Sequence, residues 1–300
     1  MTNAIGHTLQ SPEREPAVTP LRWHRADPER RWGLRGGRNT RVNTVAAGIL
    51  AAIVSAIVLG GLRFLPEPWA NYAAIILDRG PTQYATVFFA IWSLMFLWIK
   101  WRKLRVQRTA LRYSVTPEQA DFVLSPLTAD DVVQRIYAIA DDPQAYLLYN
   151  RILLALSNLR NLGRVTDVDD ILRSIADQDE SALETSYSLI QGFVWAIPVL
   201  GFIGTVLGLS QSIGAFAKVL TGGGDMASLT NGLREVTAGL GTAFDTTLVA
   251  LIAALVIQMG VTALRKAEYE FLEACSEYCS RYIIGRLRLT VDESTELNHA

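Results

Sequence analysis

The sequence predicts an all-α, polytopic membrane protein with four transmembrane helices and long helices extending to one side of the bilayer. Three observations carry this. Half of the 300 residues are hydrophobic, with a mean hydropathy of +0.21. The apolar residues gather into four stretches, each long enough to cross about 30 Å of hydrocarbon at about 1.5 Å per residue. Lys and Arg crowd three flanks that fall on the same side if all four stretches span.

Residues 1–42 form a polar, arginine-rich tail broken by Pro12, Pro16, Pro20 and Pro28, and its composition predicts disorder. A cleavable signal would place a short basic stretch directly before a short apolar one. Here a full-length apolar run follows a long tail, so it reads as a retained anchor. Residues 43–100 hold the first transmembrane hairpin, with spans over Asn43–Leu62 and Thr82–Ile99. Residues 190–264 hold a second pair, Ile190–Gly214 and Gly239–Leu264.

The basic flanks orient these spans. Arg22, Arg25, Arg30, Arg31, Arg35, Arg38 and Arg41 precede span one. Lys100, Arg102, Lys103, Arg105 and Arg108 follow span two, and Arg265 and Lys266 follow span four. The 63–81 and 215–238 connections are nearly neutral. Both termini and residues 101–189 are therefore predicted cytoplasmic.

The 101–189 segment reads as helical. Thr128-Ala-Asp-Asp131 looks like a capping start, Pro143 suits a first helical position, and Gly163 suits a stop. A helix beginning near Thr166 carries apolar positions through Ile190 with no proline, so it should run unbroken from the cytoplasm into span three. Residues 265–300 read as an amphipathic cytoplasmic helix and a tail. Cys275 and Cys279 share one face of it as small apolar residues; with no histidine nearby they do not make a metal site.

The second pair carries the chemistry. At about 100° per residue, Pro198, Gly201, Gly204, Thr205, Gly208, Gln211 and Ser212 fall within an arc of about 140°. Lipid gains nothing from a polar stripe, whereas close helix contact and a water-filled path both use one. On span four, Gly239, Thr242, Asp245, Thr246 and Ala253 cluster similarly, and Thr247 points elsewhere. A carboxylate inside hydrocarbon costs at least about 2.5 kcal/mol, so Asp245 should face a cavity or a partner. Gly222-Gly-Gly224 lacks the Lys-Ser/Thr of a phosphate-binding loop and reads as a connection. No nucleophile–base pair or cofactor motif is present, so no enzyme is predicted. The arginine-rich tail suits the anionic lipid surface rather than nucleic acid.

IPVLGFIGTVLGL (197–209) followed by GLGTAFDTTLVAL (239–251) resembles the paired motifs of the MotA/TolQ/ExbB proton channel family. The resemblance covers about 185–265. It implies a homopentamer in the bacterial inner membrane, surrounding two copies of a single-span partner like ExbD, TolR or MotB. A protonatable aspartate in the partner's span binds the ion, which is a proton, with sodium as the alternative. Ion flow would drive a motor. Residue by residue, Thr205, Thr247 and Pro198 match the family pattern. Where ExbB-like members carry an acid this chain has Thr242, and the acid stands instead at Asp245. The ion path implied is Thr205, Thr242, Asp245, Thr246 and Thr247, with Pro198, Gly201, Gly204 and Gly208 shaping the helix contact. Two other readings stay open: a non-conducting helical scaffold whose glycines only pack, and a secondary transporter, which would want broken helices in related halves.

Overall fold

The computed structural model describes residues 21–31, 37, 39–64, 66–67, 69–116, 123–125, 128–157, 165–221 and 226–288. Among them the chain is helical: α1 (Trp23–Ala26), α2 (Pro28–Arg31), α3 (Thr44–Leu62), α4 (Trp69–Leu77), α5 (Pro81–Ala110), α6 (Ala129–Ile139), α7 (Leu147–Ser157), α8 (Val165–Thr221) and α9 (Met226–Tyr282). Short 3-10 turns cover Pro143–Ala145 and Ile284–Arg286. Two isolated parallel bridges, Leu21 with Ala140 and Leu124 with Leu287, tie segment ends together. Four helices are long and apolar enough to cross a membrane: α3, α5, α8 and α9.

The dominant feature is the antiparallel hairpin of α8 and α9. Each helix has 57 residues, roughly 85 Å, far more than a bilayer needs. Helix α8 runs through the predicted membrane entry without a break. Helix α9 also continues past residue 264, so the amphipathic segment after span four is the same helix. Helix α5 likewise runs ten residues past Lys100, to Ala110. It packs against both long helices, and α3 packs on α5, where a Cβ on Gly48 would meet Trp92 Cζ2 at 2.7 Å. Phe89 and Trp92 of α5 pack against Phe193 of α8 as tilted rings, with centres 5.0 and 4.7 Å apart. The α4 helix, in the 63–81 connection, is an element that composition alone did not suggest.

Beyond the apolar stretches, α6, α7 and the ends of α8 and α9 form a bundle around Ile136, Leu148, Tyr149, Ile152, Val168 and Cys275, all fully buried. Cys275 and Cys279 are free thiols in this packing face, and burial pushes that of Cys279 up to about 11. Thr128 precedes α6 as expected, but its hydroxyl donates to Val123 O (3.0 Å) and accepts from Ser125 N (2.9 Å) instead of capping the helix. Pro143 opens a 3-10 turn, not the long helix predicted, and Gly163 and Gly222–Gly224 lie outside the described residues.

Part of the tail expected to be disordered is ordered. Residues 1–20 lie outside the described residues, but α1 and α2 are folded against the bundle. Trp23 is buried edge-on to Tyr146 at 5.3 Å. Lys103, wholly buried on α5, donates to Glu29 Oε2 (2.5 Å), Gly37 O (3.1 Å) and Arg41 O (2.8 Å). A buried ammonium without partners costs several kcal/mol, so the segment that neutralises it is held in place. Composition sees only polarity and proline there, not the charge waiting on α5.

Candidate functional site

The small residues of α8 and α9 form one seam. Ile197, Gly201, Gly204, Gly208, Ser212 and Ala215 of α8 are buried, at spacings of three and four. Gly239, Ala243, Thr246, Ala250, Ala254 and Ile257 of α9 are buried opposite them. This is coiled-coil periodicity, with side chains small enough for the backbones to touch. A Cβ on Gly208 would stand 2.6 Å from Gly239 O and 2.7 Å from Ala243 N. On Gly201 it would meet Ala250 Cβ at 2.6 Å, and on Gly204 it would meet Thr246 Oγ1 at 2.5 Å. Thr246 therefore sits in the seam, 1% exposed, its hydroxyl donating to Thr242 O (2.9 Å). Ser212 Oγ donates to Val236 O (2.8 Å), while Gln211 is exposed. Pro198 lies half-buried inside α8, one turn from Gly201, with no break in the helix.

The seam has two edges, and they differ in chemistry. At one edge Thr205 of α8 and Thr247 of α9 share a hydrogen bond of 2.9 Å. Both hydroxyls are also within 3.1 Å of Gly201 O. Three oxygens thus meet at one point with only two hydroxyl protons among them. Each hydroxyl can donate to the carbonyl or to the other, and each keeps lone pairs for a further donor. Both threonines are half-exposed.

The other edge faces the first hairpin. Thr242 and Gly260 are 18 residues apart, five turns, so they share a side of α9. A Cβ on Gly260 would meet Leu97 of α5 at 3.0 Å. At the Thr242 end the contact is ionic. Arg79 Nη2 lies 2.8 Å from Asp245 Oδ2, and Arg79 Nη1 donates to Thr242 Oγ1 (3.2 Å) and Ala238 O (3.4 Å). Gly80, at φ 94 and ψ −176, follows Arg79 in a conformation open essentially to glycine alone, and Pro81 then begins α5. That turn sets Arg79 beside α9.

The structure therefore divides the five predicted ion-path residues. Thr205 and Thr247 meet at the edge away from α5. Thr246 is enclosed in the seam. Thr242 and Asp245 turn to α5 and are held by Arg79. In the sequence Arg79 is one charge of the nearly neutral 63–81 connection. The usable signal was the acid itself, since a carboxylate in an apolar run requires a cation.

A second ion pair was also missed. Lys100 of α5 and Glu268 of α9 are both buried, with Nζ 2.9 Å from Oε2. Tyr187 of α8 donates to Glu268 Oε2 (2.6 Å), and Lys100 stands 4.5 Å from the Tyr187 ring centre. From Asp245 to Glu268 is 23 residues, about 35 Å along α9, and from Pro81, where α5 begins two residues after Arg79, to Lys100 is about 29 Å. No charged residue lies between them on α5, and on α9 the first after Asp245 are Arg265 and Lys266, in the turn just before Glu268. The two ion pairs bracket one hydrocarbon thickness, which is where charge is tolerated.

If Arg79 is what makes Asp245 tolerable, Arg79→Ala should lower thermal stability in detergent by about 1–2 kcal/mol, because it leaves a half-buried carboxylate unpaired. Asp245→Asn should cost less, and Asp245→Asn in the Arg79→Ala background should recover most of the loss. Additive losses in the double variant would show that the two side chains act separately.

In comparisons with curated proteins and with solved structures, nothing matches this chain. A family model does match, over residues 141–275, a stretch that holds α7, all of α8 and most of α9. Thr205, Thr247 and the whole glycine seam lie within it, whereas Arg79 and the first hairpin lie outside. The model matched over residues 141–275 is that of the MotA/TolQ/ExbB proton channel family, to which this part of the chain is similar.

Proposed function

We propose that this chain is the ion-conducting subunit of a complex driven by the proton-motive force, that the ion is a proton, and that it works with a single-span partner carrying a protonatable aspartate. The observation that carries the reading is the Thr205–Thr247–Gly201 O node. It is a polar, half-exposed point on an otherwise apolar edge, and that edge is not covered by α5. Flanking side chains such as Phe202, Val206 and Leu248 are exposed at 66%, 51% and 58% in the single chain. In the family assembly, copies of this chain would close around the partner with this edge inward. The partner's aspartate, neutralised at the node, could then cross an apolar surface and release its proton on the other side. About 2.3 kcal/mol is available per charge per 100 mV, so each step requires low barriers.

In this reading Asp245 does not carry the ion. Its carboxylate is committed to Arg79 on the opposite edge, where it fastens the first hairpin to the conducting pair. The basic end of the spans is cytoplasmic and the Arg79–Asp245 end is outside, in the bacterial inner membrane. The test is reconstitution. The chain is purified with the single-span protein encoded beside it and placed in liposomes with a pH-sensitive dye inside. Uptake that requires both chains, and that is lost when the partner's span aspartate becomes Asn, supports the proposal. A stable complex with no ion flux in either form favours the scaffold reading.

A further inference from the structure

At the basic end of α5, inward and outward cations are treated differently. Lys100 and Lys103 turn inward and are neutralised by Glu268 and by Glu29. Arg102 and Arg105, on the outward face of the same helix, are exposed and form no ion pair among the described residues. With Arg25 they surround a groove of about 390 Å³ between the α1–α2 segment and α5, whose other walls are Ala26, Pro28, Trp98 and Val106. Three guanidinium groups share this groove with no carboxylate lining it. Like charges this close repel unless an anion sits among them.

The rings beside the groove specify its level. Trp98 is 42% exposed and Trp101 40%. Arg102 lies 5.8 Å from the Trp98 ring centre and Arg105 3.9 Å from that of Trp101. Exposed tryptophan at the end of an apolar span marks the membrane interface, with its ring at headgroup depth. Lys100, one turn away, belongs to the ion pair that closes the hydrocarbon zone. The groove thus opens where acyl chains end and phosphates begin, with apolar surface toward the bilayer and guanidinium groups toward the phosphate.

We propose that this groove binds the phosphate headgroup of an anionic phospholipid in the leaflet at the basic end. Arg25, Arg102 and Arg105 hold the phosphate oxygens by charge-assisted hydrogen bonds, and Trp98 packs on the glycerol and upper acyl chain. Because Arg25 comes from the segment fastened by Lys103, the bound lipid also pins that segment to α5. The inference depends on the chain lying in a bilayer and is independent of ion conduction.

The test uses the full-length protein in phosphatidylcholine nanodiscs, with dioleoyl phosphatidylglycerol as probe and bound lipid counted by native mass spectrometry. The wild type should retain phosphatidylglycerol selectively. Arg25→Gln, Arg102→Gln and Arg105→Gln should each lower its affinity about fivefold, and the triple variant should lose the selectivity. Arg112→Gln, an exposed cation on the same chain outside the groove, should leave it unchanged, which guards against a general charge effect. Circular dichroism of the triple variant should match the wild type. Equal retention of both lipids by the wild type, or selectivity unaltered in the folded triple variant, overturns the proposal. So does displacement of phosphatidylglycerol by millimolar inorganic phosphate, which would make this a site for a soluble anion.

Discussion

Thr205→Val should abolish proton flux through the assembled complex while leaving its yield, helicity and size unchanged. Valine fills the space of threonine but removes one of the two hydroxyls that meet at Gly201 O. Thr247 can still donate to Gly201 O at 3.1 Å, so the backbone carbonyl stays satisfied and stability should change by about 1 kcal/mol. The proton relay has no such substitute, because a hydroxyl both accepts and donates and a methyl group does neither. The rate should fall at least about tenfold, the consequence of roughly 1.4 kcal/mol or more on the barrier. Thr205→Ser should keep most of the flux. Thr247→Val should resemble Thr205→Val, and the double variant should be little worse than either, since both remove one shared node. Wild-type flux in liposomes with Val at both positions would sink the proposal that ions pass here.

Gly208→Leu should prevent the α8–α9 hairpin from closing, so that little folded protein survives detergent extraction. The new Cβ would lie within 2.7 Å of two backbone atoms, Gly239 O and Ala243 N, which cannot rotate aside. Overpacking a core costs about 1–3 kcal/mol when side chains can yield, and more here because two helix backbones must separate. In a membrane, contact between the helices is itself the main attraction, so separating them removes what holds the pair. Gly204→Ala should be milder, since its smaller side chain meets one Thr246 side chain, at Oγ1 (2.5 Å) and Cβ (2.7 Å), and not two backbone atoms, although α9 must still shift slightly to relieve the Cβ contact. Gly214→Leu should be harmless to the single chain, with nothing within 4 Å. Melting curves by fluorescence-detected size exclusion would rank the three. A Gly208 variant as stable as a Gly214 variant would contradict the seam.

The two ion pairs change what the polar residues of this chain mean. A carboxylate in an apolar run, beside threonines, reads as part of an ion path. In the folded chain Asp245 is on the far side of the seam from Thr205 and Thr247, and Arg79 occupies it. The helical wheel already separated Thr247 from Thr242 on α9. Why they separate is the position of α5: one edge of the hairpin meets the first hairpin and the other does not. The stripe of small and polar residues is likewise divided, with its buried glycines spent on contact within the chain, Thr205 left at the open edge and Gln211 exposed.

By itself the sequence determined the four spans, the continuity of α8 through the membrane boundary, and the small-residue stripe with its threonines. Each follows from composition or periodicity along one segment, and burial in hydrocarbon imposes those patterns wherever the partners lie. Only the tertiary structure decided which residue meets which. Arg79 and Thr242 are 163 residues apart, and Lys100 and Glu268 are 168 apart. Lys103 holds a segment that composition marks as disordered. Periodicity reports the angle of a side chain around its own helix but not what stands at that angle, and a buried charge is resolved only by the group that comes to face it.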